Sequence, residues 1–212
     1  VPSVPMNCTL APVVKFTPDG KRLVCLGPDG YIEVRETDTG KLCYSPLQSS
    51  PDGFWSFDLS PDSQHMASST IHGESLVWDL LEGTPVGAPL PHPGWIYRSR
   101  FNKNGDTLIT ASHDGKVRLW DWRNGSMASE ALAHPEEVYD AVQTPDDRWV
   151  ITACRDGSVR VWDPYSGQII APPFEVGRQA FNIEFTKNGE HAIVGSLGNN
   201  VPILSLTQLQ ME

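Results

Sequence analysis

The sequence predicts an all-β fold built from five repeated units of about 42 residues. Three observations lead to this prediction: a fixed spacing between Trp-Asp pairs, short runs of β-branched and aromatic residues, and turn dipeptides between these runs. The chain has 212 residues, of which 39% are hydrophobic, so it is long enough to bury a substantial core. We therefore expect an ordered repeat protein rather than a disordered chain.

The period is set by Trp-Asp pairs whose Asp residues, Asp79, Asp121 and Asp163, are 42 positions apart. Self-similarity at a fixed spacing is the signature of repeat architectures. A step of 43 back from Asp79 leads to Glu36, and a step of 42 on from Asp163 leads to Ser205; no Trp precedes either residue. The predicted units are 10–47, 48–90, 91–132, 133–174 and 175–212. The first and fifth units are degenerate because they lack the Trp-Asp pair.

Each unit shows the order strand, turn, strand, turn, strand. In the third unit, the runs 107–112 and 116–120 are rich in β-branched and apolar residues and too short for helices. Asp114-Gly115 between them suits a tight hairpin, because both residue types tolerate a positive φ. A glycine such as Gly125 or Gly167 forms a turn after the third strand, and we expect a fourth strand to follow, for example over 168–172.

The period, the closing Trp-Asp and turns such as Thr17-Pro18-Asp19-Gly20 together resemble the WD40 repeat family. The resemblance covers about residues 10–206 and implies four-stranded blades around the channel of a β-propeller. Seven blades is the family's usual number, so the five units are expected to be part of a larger ring. We interpret residues 1–9 as the end of a preceding unit or a tail, and we expect further blades in the same parent chain.

The resemblance also implies a structural hydrogen-bonded chain in each blade. It runs through a His before the first strand, a hydroxyl on the second strand, the Asp of the next turn and the Trp of the third strand. In the third unit the matching residues are His92, Ser112, Asp114 and Trp120. In the fourth unit they are His134, Asp156 and Trp162, with Cys154 at the hydroxyl position. Because Ser50-Pro51 replaces His-Pro in the second unit, we expect a complete chain only in the third.

Ser112, His92 and Asp114 also have the residue types of a catalytic triad. We favour the structural interpretation, because the Trp120 indole N–H needs an acceptor and an unmade bond would cost roughly 1–3 kcal/mol. We therefore expect no catalytic residues and no enzyme activity. The alternative, a hydrolase with carboxylates or a metal at the channel mouth, would need convergent acidic or His residues. The candidate positions offer aromatic residues, His113 and Arg155 but no clustered Asp or Glu.

A column of aromatic residues at the start of the first strands gives a candidate binding surface: Trp55, Tyr97, Tyr139 and Phe181, each 42 positions apart. The resemblance implies that this column, together with His113 and Arg155, lies on the narrow face around the channel mouth. Aromatic residues beside Arg are typical of interaction hot spots. The alternative role is packing between blades. Three further residues, Trp95, Trp122 and Trp149, fall outside the columns and are expected to pack under loops.

These features favour a non-catalytic scaffold that binds a protein or peptide on the narrow face, with an architectural spacer or assembly module as the alternative. The form Leu90-Pro91-His92-Pro93 is similar to units of large bacterial proteins that join WD40 arrays to serine/threonine kinase or signalling domains. We therefore expect a bacterial signalling context. No His-Arg-Asp or Asp-Phe-Gly motif occurs in the sequence, so we expect no kinase activity in this chain.

Composition narrows the partner classes. The formal net charge of -10 argues against nucleic acid, whose phosphates require clustered Lys and Arg. The four cysteines contain no C-x-x-C pair, so neither a zinc site nor a disulfide framework is indicated, and we expect no metal and no cofactor. The first residues lack a signal pattern and no apolar run is long enough to span a bilayer. We expect a cytoplasmic location without membrane insertion.

Overall fold

A computed structural model describes residues 13–27, 30–48, 54–197 and 201–206. The predicted tail at residues 1–9 and the pair Ser50-Pro51 lie outside the described residues. Within these ranges, nineteen strands form five antiparallel sheets that follow one another along the chain. The prediction of an all-β fold is confirmed. No helix in the described part of the chain is long and apolar enough to cross a bilayer.

The first two sheets contain seven strands. The first sheet consists of β1 (Val13–Phe16), β2 (Arg22–Leu26) and β3 (Ile32–Glu36). The second consists of β4 (Ser56–Leu59), β5 (His65–Ser69), β6 (Glu74–Asp79) and β7 (Thr84–Pro91). In both sheets the strands lie in chain order, so each is joined to its neighbour by a tight connection.

The other three sheets repeat this order. The third consists of β8 (Ile96–Phe101), β9 (Leu108–Ser112), β10 (Lys116–Asp121), β11 (Ser126–Met127) and β12 (Leu132–Ala133). The fourth consists of β13 (Val138–Gln143), β14 (Val150–Cys154), β15 (Ser158–Trp162) and β16 (Phe174–Glu175). The fifth consists of β17 (Ala180–Phe185), β18 (His191–Ser196) and β19 (Ile203–Ser205).

The outermost position varies most between the sheets. Among the described residues, only the second sheet has one continuous fourth strand, β7. In the third sheet, β11 and β12 pair with opposite ends of β10. In the fourth sheet, the predicted strand over 168–172 is reduced to one bridge between Trp162 and Ile169, and the pairing with β15 continues at β16. In the first sheet, Leu42 and Leu47 each form a single bridge to β3.

The hydrophobic core lies between successive sheets rather than inside one centre. One apolar cluster joins the first and second sheets, a second joins the second and third, a third joins the third and fourth, and a fourth joins the fourth and fifth. Trp78, Trp120 and Trp162 each lie in the cluster shared with the preceding sheet. Because β9 and β14 are covered on both faces, every residue in them is buried.

The first strands of all five sheets border a common cavity, so they are the inner strands of the array. Ion pairs join these strands to one another. Lys15 Nζ lies 2.9 Å from Asp58 Oδ1, and Arg100 Nη2 lies 2.8 Å from Asp140 Oδ2 and 3.0 Å from Glu184 Oε1. Arg100 therefore connects the third sheet to both the fourth and the fifth. Stacked sheets around a common centre give a β-propeller-like arrangement.

Two turns at the other end of the sheets contribute further links. Ser63 and Asp147 have φ values of 63° and 59° at positions where the equivalent residues Gly20, Gly105 and Gly189 also have positive φ. A side chain at such a position costs strain, but here it gains a partner in the preceding sheet. Ser63 Oγ accepts the Asp19 N–H at 3.0 Å, and Asp147 Oδ2 accepts the Asn104 side-chain N–H at 2.7 Å.

Candidate binding site

The aromatic column lies at irregularities in the inner strands. In β8, Ile96 pairs with Ser112 and Arg98 with Ala111, so Tyr97 has no partner in the register. Tyr139 and Phe181 occupy the same unpaired position in β13 and β17. A β-bulge of this kind redirects the side chain of its extra residue. Three sheets therefore present an aromatic ring in the same way, at the end where the inner strands begin.

Trp55 has the equivalent position in the second sheet, one residue before β4. Its backbone N–H donates to Ser69 O at 2.7 Å, which continues the pairing of β4 with β5. The indole ring is 52% exposed, whereas the preceding Phe54 is buried against Trp78 in the core. Phe54 therefore belongs to the core, and the adjacent Trp55 belongs to the surface.

The aromatic residues form one continuous row of ring contacts. Centroid distances are 4.9 Å for Tyr97–Tyr139 and 5.3 Å for Tyr139–Phe181. Trp95 extends the row toward the second sheet, 6.4 Å from Trp55 and 6.2 Å from His113, whose ring is 6.4 Å from Tyr97. We call these six residues the aromatic rim: Trp55, Trp95, Tyr97, His113, Tyr139 and Phe181.

Four residues of the aromatic rim, Trp55, Tyr97, Tyr139 and Phe181, line a cavity of about 370 Å³, which we call the central cavity. Its walls come from all five inner strands, and the lining residues are Val13, Trp55, Ser56, Phe57, Tyr97, Arg98, Tyr139, Phe181 and Asn182. Most of this wall is aromatic or aliphatic, and polar groups come from a few side chains. Concave sites with this composition are the usual sites for ligands and peptide side chains.

Glu137 holds one side of the rim in place. Its carboxylate accepts the Tyr97 hydroxyl at 2.8 Å and the Arg155 guanidinium at 2.6 Å, and His113 Nε2 lies 3.4 Å away. Burial and this hydrogen bond raise the pKa of Tyr97, so the phenol remains neutral at physiological pH. Arg155 thereby joins the rim through Glu137 rather than through a ring contact. His113 and Arg155 also border a second cavity of about 320 Å³ between the third and fourth sheets.

Asp140, the residue after Tyr139, forms the buried support of the site. Arg100 donates to Asp140 through Nε at 2.9 Å and Nη2 at 2.8 Å. The Ala141 and Ile183 N–H groups donate to the same carboxylate at 3.0 and 2.9 Å. Burial raises the pKa of Asp140, and the Arg100 charge opposes this shift. These four bonds occupy the lone-pair directions of the carboxylate and fix the strand on which Tyr139 stands.

Trp95, Arg98 and Glu137 are site residues that the sequence did not predict. Trp95 and Glu137 occupy equivalent positions 42 residues apart, but their different chemistry hides the relationship. The prediction that Trp95 packs under a loop is wrong, because its side chain is 47% exposed and contacts Trp55 and His113. Trp122, by contrast, is buried and donates to Gly105 O at 3.1 Å.

The structural hydrogen-bonded chain of the third sheet uses a different hydroxyl from the predicted one. His92 Nε2 lies 2.7 Å from Thr110 Oγ1, and the Trp120 indole N–H donates to the same oxygen at 2.9 Å. The assignment of Ser112 to this chain is therefore wrong. Ser112 Oγ instead donates to Trp95 O at 2.9 Å. Ser112 lies two residues after Thr110, so both side chains are on the same face of β9.

The fourth sheet contains the same chain in full. His134 Nε2 lies 2.8 Å from Thr152 Oγ1, and the Trp162 indole N–H donates to Thr152 at 3.0 Å. The prediction that Cys154 replaces the hydroxyl, leaving a weaker chain, is wrong. In the second sheet, the Trp78 indole N–H donates to Ser68 Oγ at 2.8 Å, so the Trp and hydroxyl members are present there as well.

The turn Asp is not bonded to the His in either sheet. Asp114 receives the Arg118 guanidinium at 2.6 Å and Asp156 receives that of Arg160 at 2.7 Å, which corrects their predicted place in the chain. Arg118 Nη1 and Nη2 approach both Asp114 oxygens, at 3.3 and 2.6 Å. These hydrogen bonds lower the pKa of Asp114 and of Asp156 against the effect of burial. Each Asp therefore forms an ion pair across its own hairpin.

The tautomer of His92 follows from its neighbours. Nδ1 lies 3.1 Å from Leu90 O, and a carbonyl only accepts, so Nδ1 carries the proton. Burial and the nearby Arg118 lower the pKa of His92 to about 4, so the ring is neutral at pH 7. Nε2 then accepts the Thr110 hydroxyl, which in turn accepts the Trp120 N–H. His92 and Ser112 each have another partner, so they do not form a nucleophile and base pair.

The described residues contain no group of three or more His, Cys, Asp or Glu side chains placed to hold a metal ion. The polar groups at the rim are paired with one another, and the arrangement offers aromatic surface, a guanidinium and an amide to a binding partner. It offers contacts for recognition, in an open cavity lined by residues from all five sheets.

Comparison with known proteins identifies the repeat. Residues 83–121 and 129–163 match the family model for the WD domain, G-beta repeat (WD40). The first match runs from the outer strand β7 of the second sheet to the end of β10 in the third, so one sequence repeat joins two sheets. These two stretches are therefore similar to WD40 repeats, and repeats of this family typically mediate protein–protein interactions.

Among curated proteins, the chain is similar to WD repeat-containing protein 1 of Mus musculus, Bos taurus and Rattus norvegicus. Each is 34% identical to this chain over 77 residues, which make up 35% of this chain and 12% of the relative. The match thus spans a small part of these much longer relatives.

Proposed function

We propose that this chain is a non-catalytic scaffold that captures a protein or peptide partner on the aromatic rim and in the central cavity. The observation that carries the proposal is the row of aromatic contacts presented at equivalent bulges. Exposed aromatic surface on a rigid support supplies large contact area at small cost in side-chain entropy. A net charge of -10 supports a protein partner rather than nucleic acid. The predicted set Trp55, Tyr97, Tyr139, Phe181, His113 and Arg155 belongs to this proposal.

The cavity volume supports a linear peptide or a loop as the captured element. About 370 Å³ takes one or two side chains, which is too little for a folded domain. The partner's main chain would then lie across the exposed rings of Trp55, Trp95 and Phe181. We expect binding to depend on several rings together, because hot-spot residues cluster and exclude water from one another.

Peptide display tests the proposal. Random linear peptides are selected on the wild-type chain and on a double variant, Tyr97→Ala with Tyr139→Ala. We expect wild type to enrich a family of related peptides and the double variant to lose their binding, with little change in melting temperature. Tyr165→Ala is the matched control, because Tyr165 is 79% exposed and lies outside the rim. Peptides that bind the double variant as well as wild type would contradict the proposal.

We also propose that the scaffold is a segment of a larger bacterial signalling protein in the cytoplasm, with further blades completing a ring of seven. The resemblance of Leu90-Pro91-His92-Pro93 supports the bacterial context, and Leu90 and His92 are bonded to each other in the structural chain. The open edges of a partial ring would be costly, which supports further blades. Sequencing the surrounding gene tests this: a flanking kinase or signalling domain is expected, and a eukaryotic gene without further repeats would contradict it.

A further inference from the structure

We infer that the central cavity selects a peptide carrying an Asp or Glu side chain next to an aromatic or large aliphatic side chain, with the carboxylate bound by Arg98. This inference rests on the proposed function and adds the chemical class of the partner. It is supported by the charge of the cavity wall, the occupation of the nearby carboxylates and the position of the rings around Arg98.

The sign of the cavity is positive. Arg98 is the one charged side chain among the described residues that line it, and Asn182 and Ser56 add neutral polar groups. An otherwise apolar wall lowers the local dielectric constant and strengthens the interaction of a guanidinium with an incoming anion. The cavity is therefore positively charged, although the chain as a whole has a net charge of -10.

The carboxylates closest to Arg98 are already occupied. Asp140 accepts four hydrogen bonds, two from Arg100 and two from backbone N–H groups. A carboxylate has about four lone-pair directions, so Asp140 has no acceptor position left for Arg98. Burial raises the pKa of Asp140, and the charges of Arg100 and Arg98 oppose this shift, so Arg98 interacts with Asp140 electrostatically. Within the described part of the chain, however, no hydrogen bond or close ion pair occupies the N–H donors of the Arg98 guanidinium. It is half-buried on an inner strand, and it remains available to an external carboxylate.

The occupied carboxylates also disfavour a cationic partner. A positively charged side chain could lie on aromatic rings, but it would need a free carboxylate to offset its lost hydration. Glu137 is the acidic group at the rim, and its two oxygens are bound by Tyr97 and Arg155, with His113 beside them. A cation would therefore meet Arg98 without a free counter-charge. An anion meets a free guanidinium instead.

The rings determine what must stand beside the carboxylate. Tyr97 and Arg98 are consecutive, and Tyr139 and Phe181 continue the wall on the side of the fourth and fifth sheets. A guanidinium binds a carboxylate through two parallel N–H donors, which fixes the direction of the acidic side chain. The neighbouring residue of the peptide then contacts the rings. A short motif with one acid and one bulky apolar residue satisfies both contacts.

The test starts from the peptides selected on wild type, displayed with their carboxyl ends attached so that only side chains supply a carboxylate. We expect Asp or Glu to be enriched beside an aromatic or large aliphatic residue. For the synthetic consensus peptide, Arg98→Gln should weaken binding about tenfold or more, the usual loss for a charge-assisted pair. Replacing the peptide's acid with its amide should cause a similar loss on wild type and little further loss on Arg98→Gln.

Two controls separate this effect from loss of structure. Arg148→Gln removes an exposed arginine near the opposite ends of the sheets and should leave affinity unchanged. Arg98→Lys keeps the charge but loses the paired donors, so it should bind with intermediate affinity. Comparison of the melting temperatures of the variants identifies any folding defect, and Arg98→Lys carries the test if Arg98→Gln does not fold.

The outcomes distinguish the two proposals. Peptides that depend on Tyr97 and Tyr139 but show no preference for acid, or a preference for Lys or Arg, would overturn the Arg98 inference and leave the scaffold proposal standing. An acidic preference that survives unchanged in both Arg98 variants would also overturn it. If no peptide is enriched on wild type, both proposals fail together.

Discussion

The structural hydrogen-bonded chains and the aromatic column of the rim are both built from residue types that recur every 42 positions, yet they differ in burial and in the kind of contact they make. Thr110 and Thr152 are fully buried, and each connects a His to a Trp through hydrogen bonds. Trp55 and Trp95, by contrast, are about half exposed, and the rim contacts are made mainly by rings. A recurring residue can therefore belong to the scaffold or to the surface.

The difference teaches how to tell these two roles apart. A recurring polar residue that is buried and has its hydrogen bonds made inside the protein stabilises the fold, and removing it leaves buried groups unpaired. A recurring residue at a bulge, with its side chain outside the strand pairing, contributes little to the sheet. For the first kind of residue, stability should change with pH and with loss of a hydroxyl. For the second kind, substitution should change mainly the affinity for the partner.

Acid should separate the two regions most strongly. Burial lowers the folded-state pKa of His92 and of His134 to about 4, helped by Arg118 and Arg160, whereas an unfolded His titrates near 6.5. The unfolded chain then binds more protons as the pH falls through this window. Stability is therefore lost between pH 6.5 and 4, by roughly 3 kcal/mol for each His, with no further loss from these two groups below that range.

Urea unfolding at a series of pH values between 7 and 4 measures this loss. The double variant His92→Gln with His134→Gln is the control, because its unfolding free energy should be lower at pH 7 and flatter across the window. The carboxylates of Asp114 and Asp156, paired with Arg118 and Arg160, have lowered pKa values and titrate only at more acidic pH. If the free energies of unfolding of wild type and the double variant changed with pH in parallel, the two buried histidines would not be the groups that cause the loss of stability.

Loss of a single hydroxyl should give the next largest effect. Thr110→Val keeps the shape of the side chain but leaves His92 Nε2 and the Trp120 N–H without their partner. We expect the free energy of unfolding to fall by about 2–4 kcal/mol, because each buried group left unpaired costs roughly 1–3 kcal/mol. Chemical denaturation followed by tryptophan fluorescence measures it, and peptide binding by the folded variant should be unchanged.

Ser112→Ala is the matched control for Thr110→Val. It removes a hydroxyl from the same face of the same strand, but one that bonds Trp95 O and the Asp114 N–H, so we expect a loss of about 1 kcal/mol. If Ser112→Ala were the more destabilising of the two, the hydroxyl assignment in the third sheet would return to Ser112.

This pair of residues also shows where the sequence stopped being informative. The period predicted the second and third strands of the third sheet closely: runs 107–112 and 116–120 became Leu108–Ser112 and Lys116–Asp121. It left Thr110 and Ser112 as alternatives, because residues two apart share a face of a strand. Cys154 at the position equivalent to Ser112 was a signal in favour of Thr110, whose equivalent is Thr152. The choice depends on how far the ring of His92 reaches across the sheet, which only the three-dimensional packing determines.

The outer strands were the least predictable part of the fold. They pair on one side only and are largely exposed, so neither alternation nor apolar runs mark them, as in β7 and β11. At the rim, the aromatic column could be predicted from identical chemistry at equal spacing. Glu137 and Trp95 could not, because they are unlike residues at equivalent positions and meet the column only after folding.

The smallest effect on stability is expected from the rim itself. Trp55 is 52% exposed and its ring lies 6.4 Å from Trp95, so Trp55→Ala should lower the free energy of unfolding by less than about 1 kcal/mol. It should still weaken peptide binding, because the ring lines the central cavity. The measurement pairs urea unfolding with a peptide titration on the same preparation.

Trp78→Ala gives the contrasting variant in the same sheet. Trp78 is 5% exposed, contacts Phe54 edge to face and donates to Ser68, so its removal should cost about 3–5 kcal/mol. Two tryptophans of one sheet, 23 positions apart, would then affect different properties: one the affinity and the other the fold. If Trp55→Ala destabilised the chain as much as Trp78→Ala, the aromatic column would be packing between sheets and the rim would lose its role in binding.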